Sequence, residues 1–238
     1  MSKHWGLWAM AGLAILALGN GPTLLAADAE AGFECIFDGK TLQGWEGKTE
    51  FWSVQDGLLT GRTTKEQPAK GNTFLIWRGG KPADFELRLK WRFGDEAFGN
   101  SGVQYRSVDR GNSVVNGYQA DMDLGHSYTG ILYEEGGRGI LARRCVKTIV
   151  KEDGKTENAG PTCDEKELLA SIKKGEWNEW VISAKGNQLL QKLNGFTTID
   201  VTDNQVAKRR MEGIIALQLH AGPPMVVQFK DIRIKQLK

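Results

Sequence analysis

The sequence predicts an all-β fold, a sandwich of two antiparallel sheets carrying one short helix. Three observations predict it. Phe85, Leu87, Leu89, Trp91 and Phe93 alternate with Glu86, Arg88, Lys90 and Arg92. Successive strand side chains point to opposite faces, so this strand is half buried. Tight-turn pairs recur between short apolar-rich runs: Asp56-Gly57 and Asn194-Gly195 supply the positive φ of two-residue hairpins. Helical periodicity is confined to one segment. Many short strands, glycine turns and little helix pack as two layers.

Taken in chain order, residues 51–54 and 58–60 flank the first tight turn. Residues 85–93 commit five large apolar side chains to a core, each contributing ~1.5–3 kcal/mol when buried. Residues 102–106, 118–124 and 131–135 read as three short strands. Trp180, Ile182 and Ala184 alternate and begin a meander that continues through 188–193 and 196–201. Residues 214–220 and 225–229 flank Gly222-Pro223-Pro224, and 231–237 continue past a bulge. The helix starts at Asp164 as N-cap with Glu167 three residues later. It presents Leu168, Leu169 and Ile172, and Gly175 is the expected stop. Residues 151–161 read as a polar loop.

Residues 1–27 have the layout of a signal peptide. Lys3 and His4 precede an apolar run at 6–18, breakers follow at 19–22, and Ala27-Asp28-Ala29 offers small residues for cleavage. The run falls short of the ~20 residues of a membrane span. A secreted or periplasmic location, one β-sandwich domain over 33–238, and no transmembrane span in the mature chain are expected. The net charge of +2 and the lack of a basic stripe argue against a nucleic-acid partner. Cys145 and Cys163 flank the polar segment and are expected to pair in an oxidising compartment. Cys35 lies on the side of Phe33 and Phe37 and reads as a buried thiol. No Cys/His spacing has a zinc pattern.

The stretch 100–135 is chemically distinctive. Gln104 and Arg106 share one strand side, and Gln119, Asp121 and Asp123 share another, opposite Tyr118, Ala120, Met122 and Leu124. A solvent face of amides, carboxylates and a guanidinium suits a sugar or a metal ion.

Further motifs carry a family resemblance. Phe37-Asp38-Gly39-Lys40-Thr41-Leu42 with Gly44-Trp45 is followed in order by Trp52-Ser53-Val54, Asp84-Phe85-Glu86-Leu87, Gly99-Asn100-Ser101-Gly102-Val103, Gly117-Tyr118, Thr129-Gly130 and Leu132-Tyr133. Gly175-Glu176-Trp177-Asn178, Leu193-Asn194-Gly195, Leu217-Gln218 with His220, and Phe229-Lys230-Asp231-Ile232-Arg233 complete the series. The sequence resembles the 3-keto-disaccharide hydrolase domain family from about residue 33 to 237. The resemblance implies a concanavalin-like jelly-roll β-sandwich and a carbohydrate partner, a glycoside oxidised at C3. The ketone acidifies the C2 hydrogen, so a base removes it, the C1 group leaves by elimination, and water adds back. The route needs a base near C2, an acid near the glycosidic oxygen, and positive character at O3. A divalent metal ion is the one cofactor the resemblance allows, with no ligand set assigned. The family shows Gly-Tyr-Glu where this chain has Gln119, and an amide cannot act as a base, so that role passes to Asp121.

Asp121 and Asp123, roughly 7 Å apart at their roots, repel, so one pKa rises unless a cation sits between them. This suits a base, or a metal pair helped by His126. Arg106 is expected to clamp a hydroxyl or the C3 carbonyl. Asn100 and Gln104 order hydroxyls, and Asp123 and Gln119 complete that face. His220, beside Gln218, is suited to proton transfer. Tyr133 stacks on a sugar ring or packs in the core. Glu134 is a further catalytic candidate, and Arg138 sits on a glycine loop that closes over a ligand. The same fold serves a non-catalytic carbohydrate-binding module, the alternative reading.

Overall fold

The computed structural model describes Met1 and residues 32–237. The signal-peptide segment lies outside the described residues. In chain order the strands are β1 (Glu34–Cys35), β2 (Trp45–Glu46), β3 (Trp52–Gln55), β4 (Leu58–Thr63), β5 (Thr73–Trp77), β6 (Phe85–Phe93), β7 (Asn100–Gly111), β8 (Val114–Asp123) and β9 (Leu132–Glu135). They continue as β10 (Gly139–Ala142), β11 (Val146–Val150), β12 (Thr156–Pro161), helix α1 (Glu165–Ser171), β13 (Asn178–Lys185), β14 (Gln188–Leu193), β15 (Phe196–Asp203), β16 (Ile214–Leu219) and β17 (Met225–Gln236). One sheet has ten strands, ordered β12-β11-β15-β14-β13-β6-β17-β4-β3, with β1 against β17; the other has seven, ordered β10-β9-β8-β7-β16-β5-β2. Pairing is antiparallel except between β11 and β15, which run parallel.

The core lies between the sheets. Phe85, Leu87, Leu89, Trp91 and Phe93 of β6 meet Trp180 and Ile182 of β13, Tyr118, Ala120 and Met122 of β8, and Leu217 and Leu219 of β16. The alternation expected of β6 is seen residue by residue, buried then half-buried along its length. A smaller apolar cluster of Phe74, Ile76, Val115, Ile214 and Ala216 sits apart from it. No described helix is long and apolar enough to cross a membrane.

Three expectations need correction. Residues 156–161 form β12 rather than loop. It is an exposed polar edge strand, and with no buried face it leaves no alternation to read. Helix α1 ends at Ile172 rather than near Gly175. Its start is as expected, with the Glu167 N–H donating to the Asp164 carboxylate at 2.9 Å. Cys35 is exposed rather than buried, because β1 pairs only with β17 at the sheet surface. The expected bulge in the last strand falls at Asp231, where φ is 53° and the register with β6 shifts.

Cys145 and Cys163 are bonded across a sequence separation of 18. Closing a loop of this length restricts the unfolded chain. Cys163→Ser should lower unfolding stability by about 3 kcal/mol, read from urea titration of both proteins without reductant; wild type in reductant should match the variant.

Candidate active site

Strand β7 pairs with β8 so that Asn100 faces Asp123, Gly102 faces Asp121 and Gln104 faces Gln119. On the next strand Tyr133 lies opposite Gln119, and on the other side Ala216 lies opposite Gln104. Cross-strand partners share a face, so these side chains gather on the side of the seven-stranded sheet turned away from the core. A cavity of about 380 Å³ opens there, lined by Asn72, Asn100, Gln119, Asp121, Tyr128, Tyr133, Glu135, Gln218 and His220. The face is far less solvated than the sequence implies. Gln104, Gln119, Asp121 and Gln218 are all buried, and the last three border the cavity.

A chain of hydrogen bonds orients the floor. The Ser107 hydroxyl donates to Gln104 Oε1 at 2.7 Å, and Gln104 Nε2 donates to Gln119 Oε1 at 2.7 Å. With its oxygen engaged, Gln119 has its amide N–H free for Asp121, to which it is hydrogen bonded. Gly102 makes room for this. A Cβ there would lie 2.3 Å from the Gln119 side chain. The Met122 N–H also donates to Asp121 Oδ1 at 2.9 Å. Burial is the main influence on Asp121, and with the charges of Asp123 and Glu135 it outweighs those two bonds and pushes the carboxyl up to about 8. Asp121 therefore keeps its proton at neutral pH.

The opposite wall holds Glu135 and His220. Burial raises the Glu135 carboxyl, opposed by hydrogen bonds from Asn72 and Gln218 and by the nearby His220. Gln218 Nε2 donates to Glu135 at 3.3 Å, and its own Oε1 is buried without a partner. His220 Nδ1 contacts the Ala221 carbonyl oxygen at hydrogen-bond distance. A carbonyl only accepts, so Nδ1 carries a proton, and Nε2 is the nitrogen left to exchange one. Tyr133 is raised by burial and by the neighbouring Glu135, Asp121 and Tyr128.

Six of the expected residues thus line one cavity: Asn100, Gln119, Asp121, Tyr133, Gln218 and His220. Gln104 stands behind Gln119 as its support. Asp123 shares the face but turns away, its carboxylate accepting from the N–H groups of Ser127, Tyr128 and Thr129 at 2.8–2.9 Å. It holds a loop.

Arg106, Arg138 and Glu134 correct the sequence reading. Arg106 adopts φ 44° where the β7–β8 register shifts. This breaks the alternation and sends its guanidinium inward. It donates to the carbonyls of Ala83, Gly186 and Arg210 at 2.8, 2.6 and 3.2 Å and to Asp84 at 3.0 Å, tying three connecting segments together with no exposure. Glu134 lies opposite Tyr118 on the core side, one residue out of phase with the cavity. It pairs with Arg138, which reaches Asp203 at 2.7 Å. Neither is a cavity residue. Glu135, Tyr128 and Asn72 take places the sequence reading did not give them. For Glu135 the signal was present: strand alternation puts it with Tyr133 and puts Glu134 on the other side. Asn72 precedes β5 in a turn and carries no such signal.

A divalent metal requires several oxygen or imidazole donors converging on one point. Among the described residues, no three His, Cys, Asp or Glu side chains come close enough. His126, the expected helper, is absent from the cavity lining. Asp121, Glu135 and His220 line the cavity without converging on one point, and Glu135 is already hydrogen bonded by Asn72 and Gln218, so this donor set does not fit a divalent ion.

Comparison with known proteins agrees with the fold. A provisionally named glycosyl hydrolase from Parabacteroides distasonis superposes with a TM-score of 0.58 at 19% identity, covering 86% of this chain and 99% of its own. The carbohydrate-binding module CBM66 from Bacillus subtilis gives 0.52 at 17% identity, covering 81% and 95%. The lumenal domain of VIP36, solved with Ca2+ and Man3GlcNAc, gives 0.53 at 14%, covering 87% and 89%. At these identities the likeness establishes a shared concanavalin-like β-sandwich. No curated protein matches the sequence. Residues 32–235 match the family profile described as a 3-keto-alpha-glucoside-1,2-lyase-like domain. With nearly all of the described residues inside that match, the chain belongs to the 3-keto-alpha-glucoside-1,2-lyase-like domain family, a carbohydrate-active family.

Proposed function

We propose that this protein is an exported enzyme that cleaves glycosides oxidised at C3, by elimination followed by hydration. The observation that carries the reading is the pairing, in one cavity, of a carboxylic acid that burial leaves with a proton to give, Asp121, with an imidazole oriented through Nδ1, His220. One group can supply a proton while the other offers Nε2 to exchange one. This reverses the sequence expectation, in which Asp121 was the base.

In the forward step, His220 Nε2 takes the proton from C2. The C2–H electron pair becomes the enolate, O3 carries the charge, and amide N–H groups of Asn100 and Asn72 lie in the same cavity to receive it. The enolate then re-forms the ketone as the C1–O bond breaks, and Asp121 protonates the departing oxygen. The products are an alcohol or sugar and a 1,2-unsaturated 3-keto sugar. Water then adds. Asp121, now ionised, takes a proton from water as its oxygen bonds to C1, and the His220 imidazolium returns a proton to C2. Glu135, next to His220, stabilises the imidazolium between the two steps. The Gln218 Oε1 without a partner awaits a donor that a sugar hydroxyl would supply.

The expected export rests on the N-terminal pattern and is supported by the Cys145–Cys163 disulfide, a bond that persists in oxidising compartments.

Incubation with 3-keto-trehalose tests the reading. Glucose and 3-keto-glucose should appear in equal amounts. Sugar binding without released product would return the non-catalytic alternative. Because Asp121 must be protonated, kcat/KM should hold through neutral pH and fall tenfold per pH unit above about 8. A profile still rising at pH 9 would contradict the acid assignment.

A further inference from the structure

The loop between β8 and β9 is unusually well fixed. The Asp123 carboxylate accepts from the N–H groups of Ser127, Tyr128 and Thr129 and from the Thr129 hydroxyl, all at 2.8–3.0 Å. The Thr129 hydroxyl in turn accepts from the Asp123 N–H at 2.8 Å. From the outside, Arg144 Nη1 donates to the carbonyls of His126 and Thr129 at 2.7 and 2.8 Å, while its Nε donates to Glu165 at 2.7 Å. The Tyr128 carbonyl accepts from Ile131 N–H at 3.1 Å, and Gly130 N–H donates to the Asp121 carbonyl at 3.0 Å.

The side chain this scaffold presents is Tyr128. It is 47% exposed, yet it lines the cavity and comes close enough to Tyr133 to raise that phenol. A buried carboxylate and a guanidinium thus fix the backbone that carries an exposed aromatic ring at the edge of a polar cavity. A ring presented from fixed backbone has only its own two side-chain torsions left to order on binding, the low cost that suits an aromatic anchor.

We infer that Tyr128 is the stacking platform for the sugar on the leaving-group side of the scissile bond, and that Asp123 and Arg144 are its positioning residues. The inference rests on the reaction proposed above, through one step. Asp121 protonates the departing oxygen, and the loop is bonded to the backbone of Asp121, so the unit carried by that oxygen lies against Tyr128. The ring face takes the apolar C–H face of a hexose, and the wet phenol edge faces the rim. Substrates whose leaving group is a sugar are therefore favoured over those with a small alkoxy group.

The test uses the full mature chain with wild type, Tyr128→Phe and Tyr128→Ala on two substrates, 3-keto-trehalose and methyl 3-keto-glucoside. Tyr128→Ala should raise KM for 3-keto-trehalose about tenfold more than for the methyl glycoside, an amount in keeping with one lost aromatic contact. Tyr128→Phe should restore the wild-type ratio, which a hydrogen-bonding or purely structural role would not allow. Equal changes on both substrates, or a Phe variant as impaired as Ala, would overturn the inference and leave the reaction standing. A second arm, saturation-transfer NMR with unoxidised trehalose and methyl glucoside, separates the two ideas. If neither keto sugar is turned over but Tyr128→Ala alone loses contact with trehalose, the platform stands and the reaction falls. If wild type contacts no trehalose in either arm, the platform falls as well.

Discussion

Asp121→Asn should reduce kcat on a 3-keto-glycoside by roughly 10²–10⁴-fold, the usual weight of a positioned acid or base, while making the fold more stable at alkaline pH. The two effects share one cause. Asp121 is buried and its carboxyl is pushed up to about 8 from the ordinary value of 3.8. Between these values the folded state keeps a proton that the unfolded chain has lost. Stability is therefore fully present below about pH 4 and declines as pH rises toward 8, by up to about 1.4 kcal/mol per unit. Asparagine is close in shape, holds no ionisable proton, and can accept from Met122 N–H as the acid does. It removes the slope along with the chemistry. Turnover at pH 7 reads the first effect, and chemical denaturation at pH 5 and pH 8 reads the second. A variant that keeps its rate, or one that loses stability at pH 8, would count against the role given to Asp121.

Arg138→Met should cost about 3–5 kcal/mol of stability, the scale for removing one partner from a buried ion cluster. Arg138 is largely buried between Glu134 and Asp203, both almost fully buried. Burial disfavours its charge, but Asp203 and Glu134 hold the guanidinium above its ordinary pKa. Its Nη1 also donates to Gln205 at 3.0 Å, and Asp203 accepts from the Tyr118 hydroxyl at 2.6 Å. Methionine fills the volume but leaves two carboxylates without their cation. Thermal unfolding gives the loss directly. The contrast with Asp121 is informative: a ligand-closing arginine would leave stability almost unchanged and raise KM, whereas this arginine should lower the melting temperature and leave KM near wild type in the folded fraction.

The fold was legible because its central strands have one buried face. The β6 alternation, the Asn194-Gly195 turn and the β13–β15 meander each record a side-chain period of two, which a half-buried sheet imposes. What lacked a buried face was illegible, as in β12, an edge strand of Thr, Glu, Asn, Ala, Gly and Pro. The site divides in the same way. Gln119 and Asp121 followed the strand period and lie on one face as expected, and Gln218 and His220, read as neighbours on their own strand, reach the same cavity; Tyr133, left open between sugar and core, joins them. Arg106 was misplaced because a positive-φ residue at a register shift interrupts that period, and nothing in Gly-Val-Gln-Tyr-Arg announces it. Glu134 and Glu135 differ by one position, which in a strand is a change of face, and choosing between them needed the phase set by Tyr133. Asp123 sits on the right face, but its carboxylate is consumed by backbone donors of the next loop, a competition that polar side chains at turns commonly win. The raised pKa of Asp121 comes chiefly from burial, which strand alternation does not report, so the acid role proposed for it rests on the three-dimensional arrangement.

The central claim is that bond cleavage proceeds through removal of the C2 proton. It is tested most directly by turning over 3-keto-trehalose in D2O and following C2 of the released 3-keto-glucose by NMR at early times. The C2 hydrogen passes to the His220 imidazolium, which exchanges with D2O as the leaving group departs and water enters, so solvent deuterium should appear at C2 of the product faster than in the exchange measured without enzyme, and substrate carrying deuterium at C2 should turn over several-fold more slowly. Product that retains its original hydrogen at C2, together with equal rates for the C2–H and C2–D substrates, would mean direct displacement at C1 and would contradict the account.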